Sequence, residues 1–97
     1  MRTVWVSTLL LTFCLSGEAA ADCSGDVVEH NRIVAAHNVA AGKTSCETAA
    51  TIVPQRIAML QRLVAINARI AGCKTVKGGT STAELQKVIA VLRTLPG

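Results

Sequence analysis

Five side chains carry chemistry that could exceed packing: His30, His37, Cys23, Cys46 and Cys73. Imidazole is the commonest metal ligand, so the two histidines raise a metal or haem site first. Seven residues apart on a helix they share a face, yet they stand about 10.5 Å apart along its axis. Two ligands for one ion from one helix usually come three or four residues apart. A site here would have to recruit ligands from another helix, with Cys46 as the evident candidate. No paired-cysteine motif of the kind that holds zinc or attaches haem is present. The spacing therefore favours histidines hydrogen-bonded within or at the edge of a core, with no cofactor, and a metal or haem carrier using His30 and His37 is the alternative. The pair also forms a short echo, since His30-Asn31 recurs as His37-Asn38.

The cysteines pose a geometric problem. Cys23 precedes the first helical stretch and Cys46 follows it. Some 16 helical residues separate those ends by roughly 24 Å, whereas a disulfide needs Cα atoms within about 7 Å. Cys46 and Cys73 bracket the second stretch and are held apart in the same way. Cys23 and Cys73 meet if the first two helices form an antiparallel hairpin, so the expected bridge is Cys23–Cys73. It closes a loop of about 50 residues and is worth roughly 4 kcal/mol in the chain-entropy model. Cys46 is then a free or intermolecular thiol, expected in the first turn of a helix where amide groups favour the thiolate. A redox-responsive role through Cys46 is a further alternative.

Catalysis is not indicated. Cys46, a histidine and Asp26 can be assembled on paper as nucleophile, base and orienting group, but no local spacing supports it. Gly78-Gly79 lacks the lysine and serine that follow in a phosphate-cradling loop. The chain is expected not to be an enzyme.

The elements that must position these residues begin with a leader. Arg2 gives a positive start, Val4 to Leu15 is mostly apolar, and Ala19-Ala20-Ala21 supplies small residues for a signal peptidase. Residues 1–21 are therefore expected to be a cleaved signal peptide, removed before Asp22. The apolar run is roughly a dozen residues against the 20 or so that span a bilayer, so no stable membrane insertion is expected after cleavage. Residues 22–97 form one small domain, periplasmic or secreted, near the size at which disulfides help a marginal core. Trp5 and Phe13 are the chain's only aromatic residues apart from histidine, and both fall in the leader. Nucleic-acid binding is disfavoured, because single-strand recognition stacks bases on aromatic rings.

Helical periodicity accounts for the remainder. One helix is expected from about Asp26 to Ala41, with Val27, His30, Ile33, Val34, His37 and Ala41 on one face and Val28 and Val39 opposite. A second is expected from a capping box at Thr44–Glu47 to about Ala71, kinked or split at Pro54 into Thr44–Ile52 and Pro54–Ala71. A third follows the flexible turn 74–80 from a second capping box, Ser81–Glu84, with Leu85, Val88, Ile89, Leu92 and Leu95 as its apolar stripe. No strand is expected. The fold class is all-α, a small antiparallel three-helix bundle. Arg62 and Arg69, followed by Lys74 and Lys77, draw a basic line that suits an anionic partner or a plain solvated face.

These features point to a small exported helical module that binds another envelope or extracellular protein, as a structural or inhibitor-type component. A homodimer through the Ala-rich faces (Ala35, Ala36, Ala40, Ala49, Ala50) is the self-associating version.

Overall fold

A computed structural model describes residues 10–15, 21–72 and 76–94. Three helices packed against one another make the body: α1 (Ala21–Gly42), α2 (Ala49–Ile70) and α3 (Thr82–Arg93). The middle helix touches both others, as its wide apolar surface requires. From α2 come Val53, Leu60, Leu63, Ile66 and Ile70; α1 adds Val27, Ile33 and Val34, and α3 adds Leu85, Val88, Ile89 and Leu92. Burying each such side chain is worth about 1.5–3 kcal/mol, and this cluster is the main source of stability.

Two further elements were not expected. Strands β1 (Phe13–Leu15) and β2 (Val76–Gly78) pair antiparallel, with Phe13 opposite Gly78 and Leu15 opposite Val76. Three residues are too few to show a two-residue alternation, and β1 is hidden inside a continuous apolar run. Leu10 belongs to the hydrophobic core, and α1 already starts at Ala21.

Of the kink or split expected at Pro54, the split does not occur: α2 is one helix of 22 residues with Pro54 inside it. Pro54 is exposed, while Ala49, Val53 and Arg56 around it are buried. Packing of those neighbours holds the first turns in place despite the missing amide hydrogen. The start at Thr44 moves to Ala49 as well. Rather than closing a capping box, the Thr44 hydroxyl donates to the carbonyl of Ala40 at 2.9 Å and finishes α1. Thr48 is the N-cap residue of α2, but its side chain makes no cap hydrogen bond there and donates back to the Lys43 carbonyl. The second box is half realised, because Ser81 Oγ accepts from the Glu84 amide at 3.2 Å.

The basic line is not an open cationic surface at its first two members. Arg62 donates to Glu29 at 2.9 Å and Arg69 to Asp26 at 3.1 Å, which ties the polar edges of α1 and α2 together. Hydrogen bonds from Arg32 and then Arg62 hold the Glu29 carboxyl below its ordinary range. Lys74 lies outside the described residues. Val28 and Val39 are exposed, as their position opposite the core face of α1 requires. Of the alanines, Ala35, Ala36 and Ala50 are exposed, Ala40 is half-buried and Ala49 is in the core. No helix among the described residues is long and apolar enough to cross a membrane.

Candidate functional site

The His-Asn echo on α1 organises the most elaborate polar arrangement in the molecule. Seven residues turn a helix by nearly two full revolutions, so His30 and His37 point inward in register while Asn31 and Asn38 stand beside them at the rim. Both imidazoles are fully buried. Each asparagine reaches a backbone group of the segment 10–15. Asn31 Oδ1 accepts from the Phe13 amide at 2.9 Å, and its Nδ2 donates to the Phe13 carbonyl at 3.0 Å. Asn38 Oδ1 accepts from the Leu10 amide at 3.2 Å.

The match is one of pitch. Seven helical residues advance about 10.5 Å, and three extended residues advance about 10 Å. Two amides seven apart on a helix can therefore grip backbone sites three apart on a strand.

The opposite side of the segment is held by the stretch before α3. The Thr80 hydroxyl accepts from the Leu11 amide at 2.7 Å and lies 3.3 Å from the Leu11 carbonyl, to which it donates. The Gly79 amide donates to the Thr12 carbonyl at 3.1 Å. Thr80 is in turn fixed from α2, where buried Asn67 donates through Nδ2 to the Thr80 carbonyl at 2.9 Å. Side chains of α1 and the stretch 79–80 thus converge on four consecutive residues, and α2 supports that stretch through Asn67.

Among the side chains described from Leu10 to Cys14, Leu10 and Phe13 turn inward. Leu10 is buried in the core, whereas Leu11, Thr12 and Cys14 are exposed. The Phe13 ring packs on His30 with centroids 4.5 Å apart and planes tilted by 58°. It also covers Gly79, where a Cβ would overlap the ring. Gly79 has φ +79°, so its lack of a side chain serves both the backbone turn and the berth for the ring.

The hydrogen bonds also settle the state of His30. Asn31 presents Nδ2 to a carbonyl, so its Oδ1 is the atom facing His30 Nδ1 at 3.2 Å. An oxygen can only accept there, so Nδ1 carries the proton. Nε2 is then a bare acceptor, buried without a hydrogen-bond partner among the described residues. Burial lowers the His30 pKa, against the smaller raising effect of Asn31.

His37 sits in a different setting. The Arg56 guanidinium donates from Nε to His37 Nε2 at 3.3 Å and from Nη1 to Thr44 Oγ1 at 3.2 Å. Burial, and after it the charge of Arg56, push His37 down to about 4. Burial also lowers Arg56 itself.

The expected chemistry is redistributed accordingly. One ring nitrogen of each histidine is engaged, His30 Nδ1 by Asn31 and His37 Nε2 by Arg56. Among the described residues no three His, Cys, Asp or Glu side chains lie close enough to hold a metal ion. Cys46, the candidate further ligand, is an exposed free thiol in the turn before α2, so it does not occupy that helix's first turn. Cys23 lies inside α1, buried, and is disulfide-bonded, while Cys14 is free and exposed. Its expected partner Cys73 lies outside the described residues.

Asn31, Asn38, Asn67, Gly79 and Thr80 were not singled out as site residues by sequence reasoning. The His30-Asn31 and His37-Asn38 echo is a signal for the two α1 asparagines, and no comparable local signal marks Asn67, Gly79 or Thr80. No protein-family model matches the chain, nor does any curated protein or solved structure.

Proposed function

We propose that this chain is an exported, non-enzymatic helical module that works by holding another protein, in the periplasm or outside the cell. The observation that carries this is the face formed by Asn31, Asn38, Gly79 and Thr80, which engages an extended segment through its backbone. Such main-chain pairing is how proteins commonly recognise extended peptides. It involves no nucleophile and no acid–base pair.

A Cys23–Cys73 bridge and an antiparallel course of α1 and α2 belong to the same reading. The course is supported by the order of the cross-helix contacts: Asp26 with Arg69, Glu29 with Arg62 and His37 with Arg56. The bridge is supported by the bonded state of Cys23 beside free Cys14 and Cys46. Both would brace α1, the helix that carries the gripping asparagines.

The test is co-purification from the native cell envelope with the processed protein and an Asn31→Ala, Asn38→Ala double variant as parallel baits. A protein recovered in stoichiometric amount by the first and lost with the second is the expected result. Equal recovery by both baits would place binding elsewhere. The exposed Cys46 thiol favours a second reading, a reduction-sensitive dimer or adduct. A non-reducing gel that is unchanged by Cys46→Ser would remove it.

A further inference from the structure

The segment Leu10–Leu15 occupies a berth that its own removal would open. We infer that this segment is a placeholder, and that after cleavage before Asp22 the berth takes an extended segment of a different protein, with a leucine-like side chain at one position and an aromatic ring three residues later. The inference rests on the reading that the chain is exported and processed, and it adds the chemistry of the partner.

Three observations carry it. The first is that the polar grip is on the backbone. The amides of Leu10, Leu11 and Phe13 and the carbonyls of Leu11, Thr12 and Phe13 are all bonded by the body of the protein. Any extended chain could make those bonds. Selectivity then falls to the two inward positions, one in the core and one on the ring of His30.

The second is what departure of the segment would leave behind. The edge of β2 would lose its partner, and an unpaired edge is a template for another strand. The Thr80 hydroxyl and the Asn31 amide would lose their partners, each loss costing about 1–3 kcal/mol where water does not replace them. The imidazole of His30 would lose the ring that covers it. An empty berth of this kind is costly, and a matching strand would restore every contact.

The third observation excludes a second copy as the occupant. Phe13 is the chain's only phenylalanine, Trp5 its only tryptophan, and it has no tyrosine. Cleavage removes both rings, so residues 22–97 of a second copy supply no such aromatic side chain. The occupant must be another protein.

The test uses the protein recovered from an exporting cell, with its N-terminus first read by mass spectrometry. An N-terminus at Asp22 upholds the processing step, and retention of Leu10–Leu15 overturns the placeholder role whatever else the protein binds. The probe is a synthetic, fluorescently labelled peptide, Lys-Leu-Leu-Thr-Phe-Ser-Leu-Lys, which copies residues 10–15 with serine for the cysteine. Fluorescence anisotropy should show saturable binding to the processed protein. Affinity should fall at least tenfold when alanine replaces the peptide's phenylalanine, when Asn31→Ala replaces the wild type, and when the unprocessed full chain is used. Circular dichroism accompanies each titration. If the processed protein is unfolded alone, a gain of helix on peptide addition is the supporting signal. A processed protein that neither binds the peptide nor gains helix with it would overturn the inference, as would equal binding by the phenylalanine-to-alanine peptide. Capture of an envelope protein by the processed form despite that failure would leave the broader binding role intact.

Discussion

The two sides of α2 are stabilised in different ways. Towards α3, the contact is mainly apolar: Leu85, Val88, Ile89 and Leu92 join the core cluster to which α2 contributes Leu60 and Leu63. Towards α1 and the segment 10–15 the molecule places two buried histidines, a buried arginine and a set of amide and hydroxyl groups. An apolar interface is non-directional and tolerates small shifts. A polar one must satisfy each buried group or lose stability. The difference suggests a division of labour in which the α2–α3 side keeps the fold and the α1 side holds a strand.

The comparison can be broken most sharply from the apolar side. Leu63→Ala should destabilise the full chain by about 3 kcal/mol through lost burial and a cavity, read as a lower urea midpoint. A loss below about 1 kcal/mol would mean that the α2–α3 side is not the fold's foundation.

Acid should act on the polar side alone, at similar magnitude. An unfolded histidine titrates near its ordinary 6.5, while folded His37 is pushed down to about 4 by burial and by Arg56. Between those values the unfolded chain binds more protons, so the contribution is whole above pH 6.5 and is lost as pH falls towards 4. It amounts to about 3 kcal/mol. Urea titrations across that window should show the decline, and a flat profile in the wild type would show that His37 is not held neutral as described.

The backbone grip comes next. Asn31→Ala strands the amide and carbonyl of Phe13 and should cost the full chain about 2 kcal/mol, with Leu10–Leu15 becoming the first site of proteolysis. Gly79→Ala adds a Cβ into the Phe13 ring at a positive φ and should cost about 1 kcal/mol or more. The useful contrast is that helical content in both variants should persist. Cys46→Ser, at an exposed turn, should change stability by less than about 0.5 kcal/mol.

Much of the apolar half was legible in the sequence, because helical periodicity records burial directly. Leu85, Val88, Ile89 and Leu92 announce their face without ambiguity. The inward direction of His30 and His37 and the exposure of Val28 and Val39 were legible on the same ground. The strand-holding face was not, for two physical reasons. Its gripping groups are single asparagines and a threonine, whose polarity is equally at home on any solvated surface. Its ligand is an apolar run that resembles an export leader, and nothing local reveals that such a run also fills a berth. The continuity of α2 through Pro54 was hidden for a related reason, since proline's local penalty is visible in sequence and the packing of Val53 and Arg56 that offsets it is not.

Amide hydrogen exchange on the full chain, resolved residue by residue, tests the central claim most directly. If the body of the protein holds the segment by its backbone, the amides of Leu10, Leu11 and Phe13 should exchange slowly, and Asn31→Ala should release Phe13 while the α2 and α3 amides stay protected. Free exchange at all three positions in the wild type, beside protected helices, would contradict it.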